Sequence, residues 1–311
     1  MPARPQVSVI IVSYNRLGVL RDSLRSMIQN LGGTSYEIIL LDNASSEPVV
    51  KTIKKEFPSV RMVENPQNYG FGKANNIGAQ HASREFLLFV NSDILLKANP
   101  VPEMVNYLKE HNDVGIVGCS LRNADGSLQP SFFRFPSLWL RFVQLTGLKA
   151  MMLALFPRLR FKSPSDTRSG FVSGAFLMIR ADLFSSLGGF DERYFMYLED
   201  ADLGYQVKKR GLRSSLMETD SVVHLGRHYE ESDNPFVMYN MNKGLLLFYE
   251  KHFAKWRLYC LAFLGYVGYS ARLLLARNDK HYRDEIRAVM NLYARMLFGN
   301  PNVDKAFAGN K

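Results

Sequence analysis

Cysteine is nearly absent from this 311-residue chain: Cys119 and Cys260 are far apart and in no metal-ligand spacing. That argues against a disulfide framework and for a reducing compartment. A secretory leader is not expected, since Met1-Pro2-Ala3-Arg4-Pro5 runs straight into a strand-like segment without charged, apolar and cleavage regions. The catalytic part is therefore expected in the cytoplasm. Long apolar runs are scarce. Leu258 to Ala271 spans 14 residues between Arg257 and Arg272, with Arg277 beyond, whereas a membrane span takes about 20. This segment reads as interfacial, or as packed on the domain. There are no repeats and no low-complexity tracts.

Acidic residues are outnumbered, 29 against 39 Lys and Arg, for a net charge of +10. The excess is uneven: residues 236–311 carry 12 basic against 5 acidic side chains, and residues 134–168 carry 7 against 1. Both stretches interleave bulky apolar residues, as in Leu138-Trp139-Leu140-Arg141-Phe142 and Trp256-Arg257-Leu258-Tyr259. Basic plus aromatic composition suits anionic lipid or nucleic acid. Base-stacking platforms belong on strands or loops, and these segments are helix-like, so an anionic membrane surface is expected and nucleic acid is not.

With 47% apolar residues the chain can bury a full core. Its first 120 residues alternate β-branched apolar runs with helical periodicity, the pattern of parallel βαβ units. Strands are predicted near 7–13, 36–42, 60–64, 85–91 and 114–119. A second α/β segment follows, with a strand over 171–180, a helix over 181–187, another over 199–211 ending at Gly211, and strand over 213–225. Residues 235–298 read as helical throughout. The expected division is 1–234 for the α/β domain and 235–311 for a basic helical extension.

In such sheets ligands sit beyond the carboxyl ends of the strands. Polar residues stand at three of those ends: Ser13-Tyr14-Asn15, Asp42-Asn43-Ala44-Ser45 and Asn91-Ser92-Asp93. Asp42 suits hydrogen bonds from a base or ribose, although an Asx-turn or helix cap explains an aspartate there equally well. Between Asn68 and Gly78 the glycines follow G-x-G-x5-G after the third strand, not the dinucleotide pattern after the first. They permit close approach of a phosphate to a helix start, with Lys73 as compensating charge. Asp93 offers a hard oxygen for Mg2+ or Mn2+ bridging two phosphates, and His224 stands ready for the metal shell or the diphosphate. Glu199, Asp200 and Asp202 crowd the start of the 199–211 helix. That cluster fits either proton transfer or simple complementarity to the helix dipole.

Taken together, Val9 to Arg16, Asp42-Asn43-Ala44-Ser45, Asn68 to Gly78, Asn91-Ser92-Asp93, Ser173-Gly174-Ala175, Gly189-Phe190-Asp191-Glu192 and Glu199-Asp200-x-Asp202-Leu203 closely resemble the family 2 glycosyltransferases of GT-A fold, and within them the bacterial rhamnosyltransferase branch. The likeness covers roughly residues 7–228. It implies that Tyr14, Asn15 and Asp42 hold the nucleoside, with Ser13, Asn68, Gly72, Lys73, Asn76, Asn91 and Ser92 completing the donor site. It implies Asp93 and His224 as metal ligands, Asp200 as catalytic base, and Ser173, Gly174 and Glu199 at the acceptor. The sequence departs from the family at two places. Asn91 replaces the first carboxylate of D-x-D, leaving Asp93 to hold the ion largely alone, and no Gln-x-x-Arg-Trp follows Asp202, so one sugar is expected per event.

The expected enzyme is an inverting, metal-dependent glycosyltransferase. It would move one sugar, L-rhamnose, from a dTDP- or UDP-linked donor to a hydroxyl of a lipid-linked surface-glycan intermediate at the inner face of the cytoplasmic membrane. Glu199 and Asp202 are expected to raise the pKa of Asp200. A homo-oligomer is left open. The rival readings are a sugar nucleotidyltransferase and a catalytically idle membrane-surface scaffold of the same fold.

Overall fold

The β-branched runs become the centre of a seven-stranded sheet in the computed structural model, which describes residues 6–146, 169–226, 234–275 and 280–299. Residues 147–168 of the basic stretch, and Arg277, lie outside the described residues. In chain order the elements begin with β1 (Gln6–Ser13), α1 (Leu17–Asn30), β2 (Ser35–Asp42), α2 (Val49–Glu56), β3 (Arg61–Glu64), α3 (Gly70–Gln80) and β4 (Phe86–Asn91). Next come β5 (Ile94–Leu96), α4 (Val101–Glu110), β6 (Val114–Cys119), β7 (Leu121–Arg122), β8 (Leu128–Gln129), β9 (Phe132–Arg134) and α5 (Leu138–Leu145). After them lie β10 (Gly170–Val172), β11 (Phe176–Arg180), α6 (Ala181–Ser186), α7 (Glu199–Lys209), β12 (Arg213–Met217) and β13 (Val222–His224). Three helices, α8 (Pro235–His252), α9 (Lys255–Leu275) and α10 (Lys280–Phe298), follow.

The main sheet runs β12-β6-β11-β4-β1-β2-β3. All its pairings are parallel except those of β11, which runs antiparallel to β4 and β6. The stretch expected as one strand over 171–180 is thus two strands in different sheets. Gly170–Val172 pairs with β9, and the chain enters the main sheet only after Ser173-Gly174-Ala175. The stretch 213–225 likewise divides: β12 joins the main sheet, and β13 joins a small sheet ordered β5-β13-β7-β8. Strands buried on both faces read as unbroken apolar runs. Val7, Val9, Ile11, Leu40, Leu88 and Val90 pack with α1 and α4 in one core, while Ile10, Ile39, Leu41, Leu87 and Phe89 pack with Phe184, Phe190 and Leu203 in another.

Two compact units emerge, and the division is not one cut near residue 234. The first holds the chain through Phe135, the run ending at Phe195, and Glu199–Gly226. The second holds α5, Met196–Leu198 and α8 to α10. Inside the second unit α9 packs against α5, α8 and α10. The buried Arg141 guanidinium there bonds the Asn242 amide oxygen and the Tyr293 hydroxyl, and Asn242 in turn donates to Tyr269 Oη at 2.9 Å. Burial pushes the Tyr293 phenol up to about 12, with Arg141 opposing the shift. Cys119 is buried with its thiol pushed up to about 12 by desolvation, Cys260 is exposed, and both are free.

Candidate active site

Register places the polar strand ends together. Ser13 pairs with Asp42, and Val12 pairs with Asn91 on the other side of β1. Asp42 closes a turn with one oxygen and leaves the other unpartnered. Its Oδ2 accepts the Ser45 N–H at 3.3 Å in an Asx-type turn, while Oδ1 is buried without a hydrogen-bond partner. An orphaned buried carboxylate oxygen is costly unless a ligand N–H or O–H completes it. Tyr14, next in sequence after the paired Ser13, is exposed, and Ser13 is buried, its Oγ 3.4 Å from the Asn15 carbonyl.

Asn15 and Arg16 take left-handed backbone, φ 58° and 56°, and the loop from β2 holds them there. The Asn15 Oδ1 accepts the Ser46 N–H at 2.8 Å, its own N–H donates to Ser45 Oγ at 2.7 Å, and Glu47 accepts the N–H groups of Arg16 and Leu17 at 2.7 and 2.8 Å. Glu47 so caps α1, a role its position gave no reason to expect. Asn43, absent from the expected site, is a hub. It donates to Asn68 Oδ1 and to the Gly70 carbonyl, each at 3.0 Å, and accepts from Asn65 at 2.9 Å.

The Asn68–Gly78 segment does less for a phosphate than its glycines suggested. The Gly70 N–H donates to Asn68 Oδ1 at 2.9 Å and the Phe71 N–H to the Phe195 carbonyl at 2.8 Å, so these two donors are taken. Glycine is required at 70 by close approach: φ is +76°, and an added Cβ would lie 2.0 Å from the Phe195 oxygen. At Gly72 a Cβ would press on Phe190. Lys73 pairs with Glu192 at 3.2 Å and lies over the Tyr69 ring. Asn76 uses both ends of its amide on the Phe190 backbone, at 2.8 and 2.9 Å. The physical reason is packing: this segment fastens α3 to the loop ahead of α7.

At the end of β4 Asp93 and His224 come together. Strand β13 pairs antiparallel with β5, setting His224 opposite Ile94, and the Leu225 N–H donates to the Asp93 carbonyl at 3.0 Å. His224 Nε2 lies 3.1 Å from Asp93 Oδ1 and 3.3 Å from Asn91 Nδ2, and both His224 and Asp93 are buried. Its other nitrogen, Nδ1, meets Gln129 Oε1 at 2.7 Å, while Gln129 Nε2 donates to the Gly226 carbonyl at 2.9 Å. Because the Gln129 amide is oriented by Gly226, its oxygen accepts, so His224 Nδ1 donates to it and Nε2 faces Asp93 Oδ1 and Asn91 Nδ2. An imidazole nitrogen and a carboxylate oxygen 3.1 Å apart can share a proton or a cation. Two neighbouring ligands on an ion with bonds near 2.1 Å stand about 3 Å apart, so the pair fits a divalent cation. No group of three His, Cys, Asp or Glu side chains suited to a metal occurs among the described residues. Asp93 and His224 would therefore share the ion with ligands from the substrate. Arg16 Nη1 lies 3.6 Å from Asp93 Oδ2, adding a cation at the same strand end. Ser92 sits partly exposed in the turn between β4 and β5.

The third component is the start of α7. The Asp200 carboxylate accepts the Gly174 N–H at 3.0 Å and the Ala201 N–H at 2.8 Å. Ala175, next to Gly174, accepts the Asn91 N–H at 3.0 Å. Asp93 and Asp200 are thus anchored to the same sheet edge, one by β4 and the other by the segment entering β11. Ser173 supports that segment, its N–H donating to the Ser131 carbonyl and its Oγ accepting from Ala175.

Like charge acts differently from expectation. Burial is what lifts the Asp200 carboxyl above its ordinary range, against its backbone N–H bonds. The mutual repulsion falls instead on Glu199, whose carboxyl is pushed well up by burial first, then by Asp200 and Asp202. Glu199 Oε2 is buried without a hydrogen-bond partner, and Asp202 is tied by Gln206 at 2.9 Å. Both carboxyls are raised, Glu199 the more strongly, so the cluster favours holding a proton on the Glu199 side.

A mostly parallel sheet with one reversed strand, polar strand ends and an Asp–His pair at the carboxyl edge defines a nucleotide-sugar transferase of GT-A fold. Comparisons with known proteins agree: residues 8–188 match the family described as Glycosyl transferase family 2, and the chain belongs to it. It is 28% identical over 240 residues to N-acetylglucosaminyl-diphospho-decaprenol L-rhamnosyltransferase of Mycobacterium tuberculosis, covering 71% of this chain and 76% of that one. To rhamnosyltransferase WbbL of Escherichia coli it is 27% identical over 241 residues, covering 73% and 86%. Among solved structures, the Pyrobaculum calidifontis mannosyltransferase PcManGT, in complex with GDP-Man and Mn2+, superposes with a TM-score of 0.56 at 16% identity, covering 95% and 88% of the two chains. The chain is a glycosyltransferase, and the nucleotidyltransferase and idle-scaffold readings find no support among these relatives.

Proposed function

We propose that this glycosyltransferase transfers a single L-rhamnose from a dTDP- or UDP-linked donor to a hydroxyl of a lipid-linked glycan intermediate, with inversion, at the inner face of the cytoplasmic membrane. The observation that carries the chemistry is the anchoring of Asp93–His224 and Asp200 to one sheet edge. The sugar assignment is supported by the two rhamnosyltransferases to which the chain is similar, one of them named for a diphospho-decaprenol acceptor.

In this reading Asp42 Oδ1 takes a hydrogen bond from the nucleoside, and Tyr14 packs beside it. Asp93 and His224 hold Mg2+ or Mn2+, which when bound supplies charge neutralisation for the departing diphosphate. Arg16 adds its own positive charge there. Asp200, made more basic by burial and held in place by Gly174 and Ala201, removes the acceptor hydroxyl proton, a contribution on the order of 10²- to 10⁴-fold. Glu199, whose carboxyl is raised by burial and by Asp200, lies at the acceptor side of Asp200 in this reading. Peripheral contact with anionic lipid brings the enzyme to that acceptor. The direct test is a donor panel assayed by released nucleoside diphosphate with a polyprenol-diphosphate-linked acceptor. dTDP- or UDP-rhamnose should be turned over best; preference for another sugar contradicts the sugar assignment, and no release from any donor contradicts the whole reading.

A further inference from the structure

Helix α9 is apolar on two faces, and only one of them is used. Leu258, Leu261, Ala262, Gly265 and Tyr269 are buried within the helical unit, where Gly265 lies directly against the Tyr293 ring. On the other side Trp256, Tyr259, Phe263, Val267 and Leu274 form one exposed stripe at helical spacing; Trp256 is 60%, Phe263 59% and Leu274 86% exposed. Helix α5, packed on α9, adds exposed Trp139, its ring stacked with that of Phe142 at 5.9 Å. By length and composition alone α9 is able to cross a membrane, and it is the one such helix among the described residues. Its buried face makes it part of a bundle, so what remains for an outside partner is a stripe. A helix apolar all round needs cover on every side, and an exposed apolar surface of this kind marks an interaction site.

We propose that this stripe, with Trp139 of α5, is a docking surface that seats the helical unit in the interfacial layer of an anionic bilayer. The inference deepens the lipid-linked acceptor reading and rests on it for its purpose. Three features select a bilayer. Trp and Tyr lie at the start of the stripe, with Phe, Val and Leu further along, the mixture favoured where headgroups meet acyl chains. Positive charge sits at both ends and nowhere between: Lys255 and Arg257 at the start, Arg272 near the close, and no acidic residue in α9. Arg257 lies over the rings of Trp256 and Phe253, at 5.2 and 5.3 Å, with its aliphatic stem available to follow the rings while the guanidinium meets phosphate. A second copy of the chain is the poorer occupant, because an isologous contact would face two surfaces drawn from a segment holding 12 basic against 5 acidic residues.

The test uses the full chain and sedimentation with sucrose-loaded vesicles of phosphatidylglycerol and phosphatidylethanolamine, or of phosphatidylcholine alone. Wild type should partition to the anionic vesicles, more weakly at high salt and weakly to phosphatidylcholine, with a blue shift of tryptophan emission. Trp256→Ser with Phe263→Ser should lower partitioning at least ~10-fold. Slow donor hydrolysis, read in parallel without vesicles, should be unchanged in that variant and reports that it is folded. Equal partitioning of variant and wild type overturns the proposal. So does a concentration-dependent dimer that the double substitution dissolves. The vesicles carry no acceptor, so this readout is separate from the donor panel: no release in that panel would sink the proposed function and leave vesicle binding standing, whereas failure to bind vesicles would sink the docking surface and leave the sugar transfer standing.

Discussion

Gln129→Met removes one amide and little volume, yet it should loosen the metal centre. In the wild type, Gly226 orients the Gln129 amide, whose oxygen accepts from His224 Nδ1 at 2.7 Å and so turns Nε2 towards Asp93. Methionine supplies neither bond. The imidazole then loses its tautomer bias and rotational restraint, and the Gly226 carbonyl loses its donor. Partners of this kind behind a ligating histidine are worth about 10- to 100-fold in metal affinity, and the effect should lie towards the upper end if, as proposed, Asp93 is the other protein ligand among the described residues. Mn2+ affinity in the presence of nucleoside diphosphate, followed by electron paramagnetic resonance, measures it. Nitrogen-15 spectra of the His224 ring should show the Nδ1–H form in wild type and a tautomer mixture in the variant. Gln129→Glu, which keeps an acceptor towards Nδ1, should recover part of the affinity. Mn2+ binding within twofold of wild type in Gln129→Met would refute the reasoning.

Glu199→Gln tests the division of the acid cluster. A carboxyl raised above its ordinary 4.5 in the folded state stabilises the fold below that value and loses the contribution as pH rises through the folded pKa. Wild type should lose up to about 1.4 kcal/mol per pH unit across that window relative to the variant; parallel Tm curves from pH 5 to 8 would contradict it. Gly70→Ala should cost about 3 kcal/mol or more in urea unfolding, since a Cβ would meet the Phe195 oxygen at 2.0 Å in a left-handed backbone. A loss below 1 kcal/mol, by order of magnitude, would mean that the loop yields easily.

Much of the sheet was legible because β1, β2, β4 and β6 are buried on both faces and so appear as bare apolar runs. Their polar ends were legible for the same reason: the change from Val and Ile to Ser13, Asp42 and Asn91 marks where the strand leaves the core. The reversal of β11 was not. Residues 171–180 look continuous to any periodicity argument, and only the pairings of Phe171 with Phe133 and of Leu177 with Phe89 reveal two sheets. The glycines at 70, 72 and 78 have the same appearance whether a phosphate or a neighbouring group approaches; here Phe195, Phe190 and Ile10 occupy the space. Gln129 was hidden because it lies on a two-residue strand, too short for a pattern, and its only sequence signal was the Asp125-Gly126 turn before it. Arg141 counted towards a basic surface, but it is buried among Asn242 and two tyrosines, so less of that positive charge faces outward than the composition implied.

Asp200 is proposed to take the acceptor proton at the sheet edge where Asp93 and His224 would hold a divalent cation that neutralises the donor's diphosphate. Asp200→Asn keeps the side-chain shape and an acceptor oxygen but cannot accept the proton, so rapid-quench release of nucleoside diphosphate should fall at least ~10²-fold. Donor affinity with Mn2+ should stay within about threefold, since Asp200 makes no contact with the donor's diphosphate in this account. Turnover close to wild type in that variant, with donor bound normally, would contradict the account.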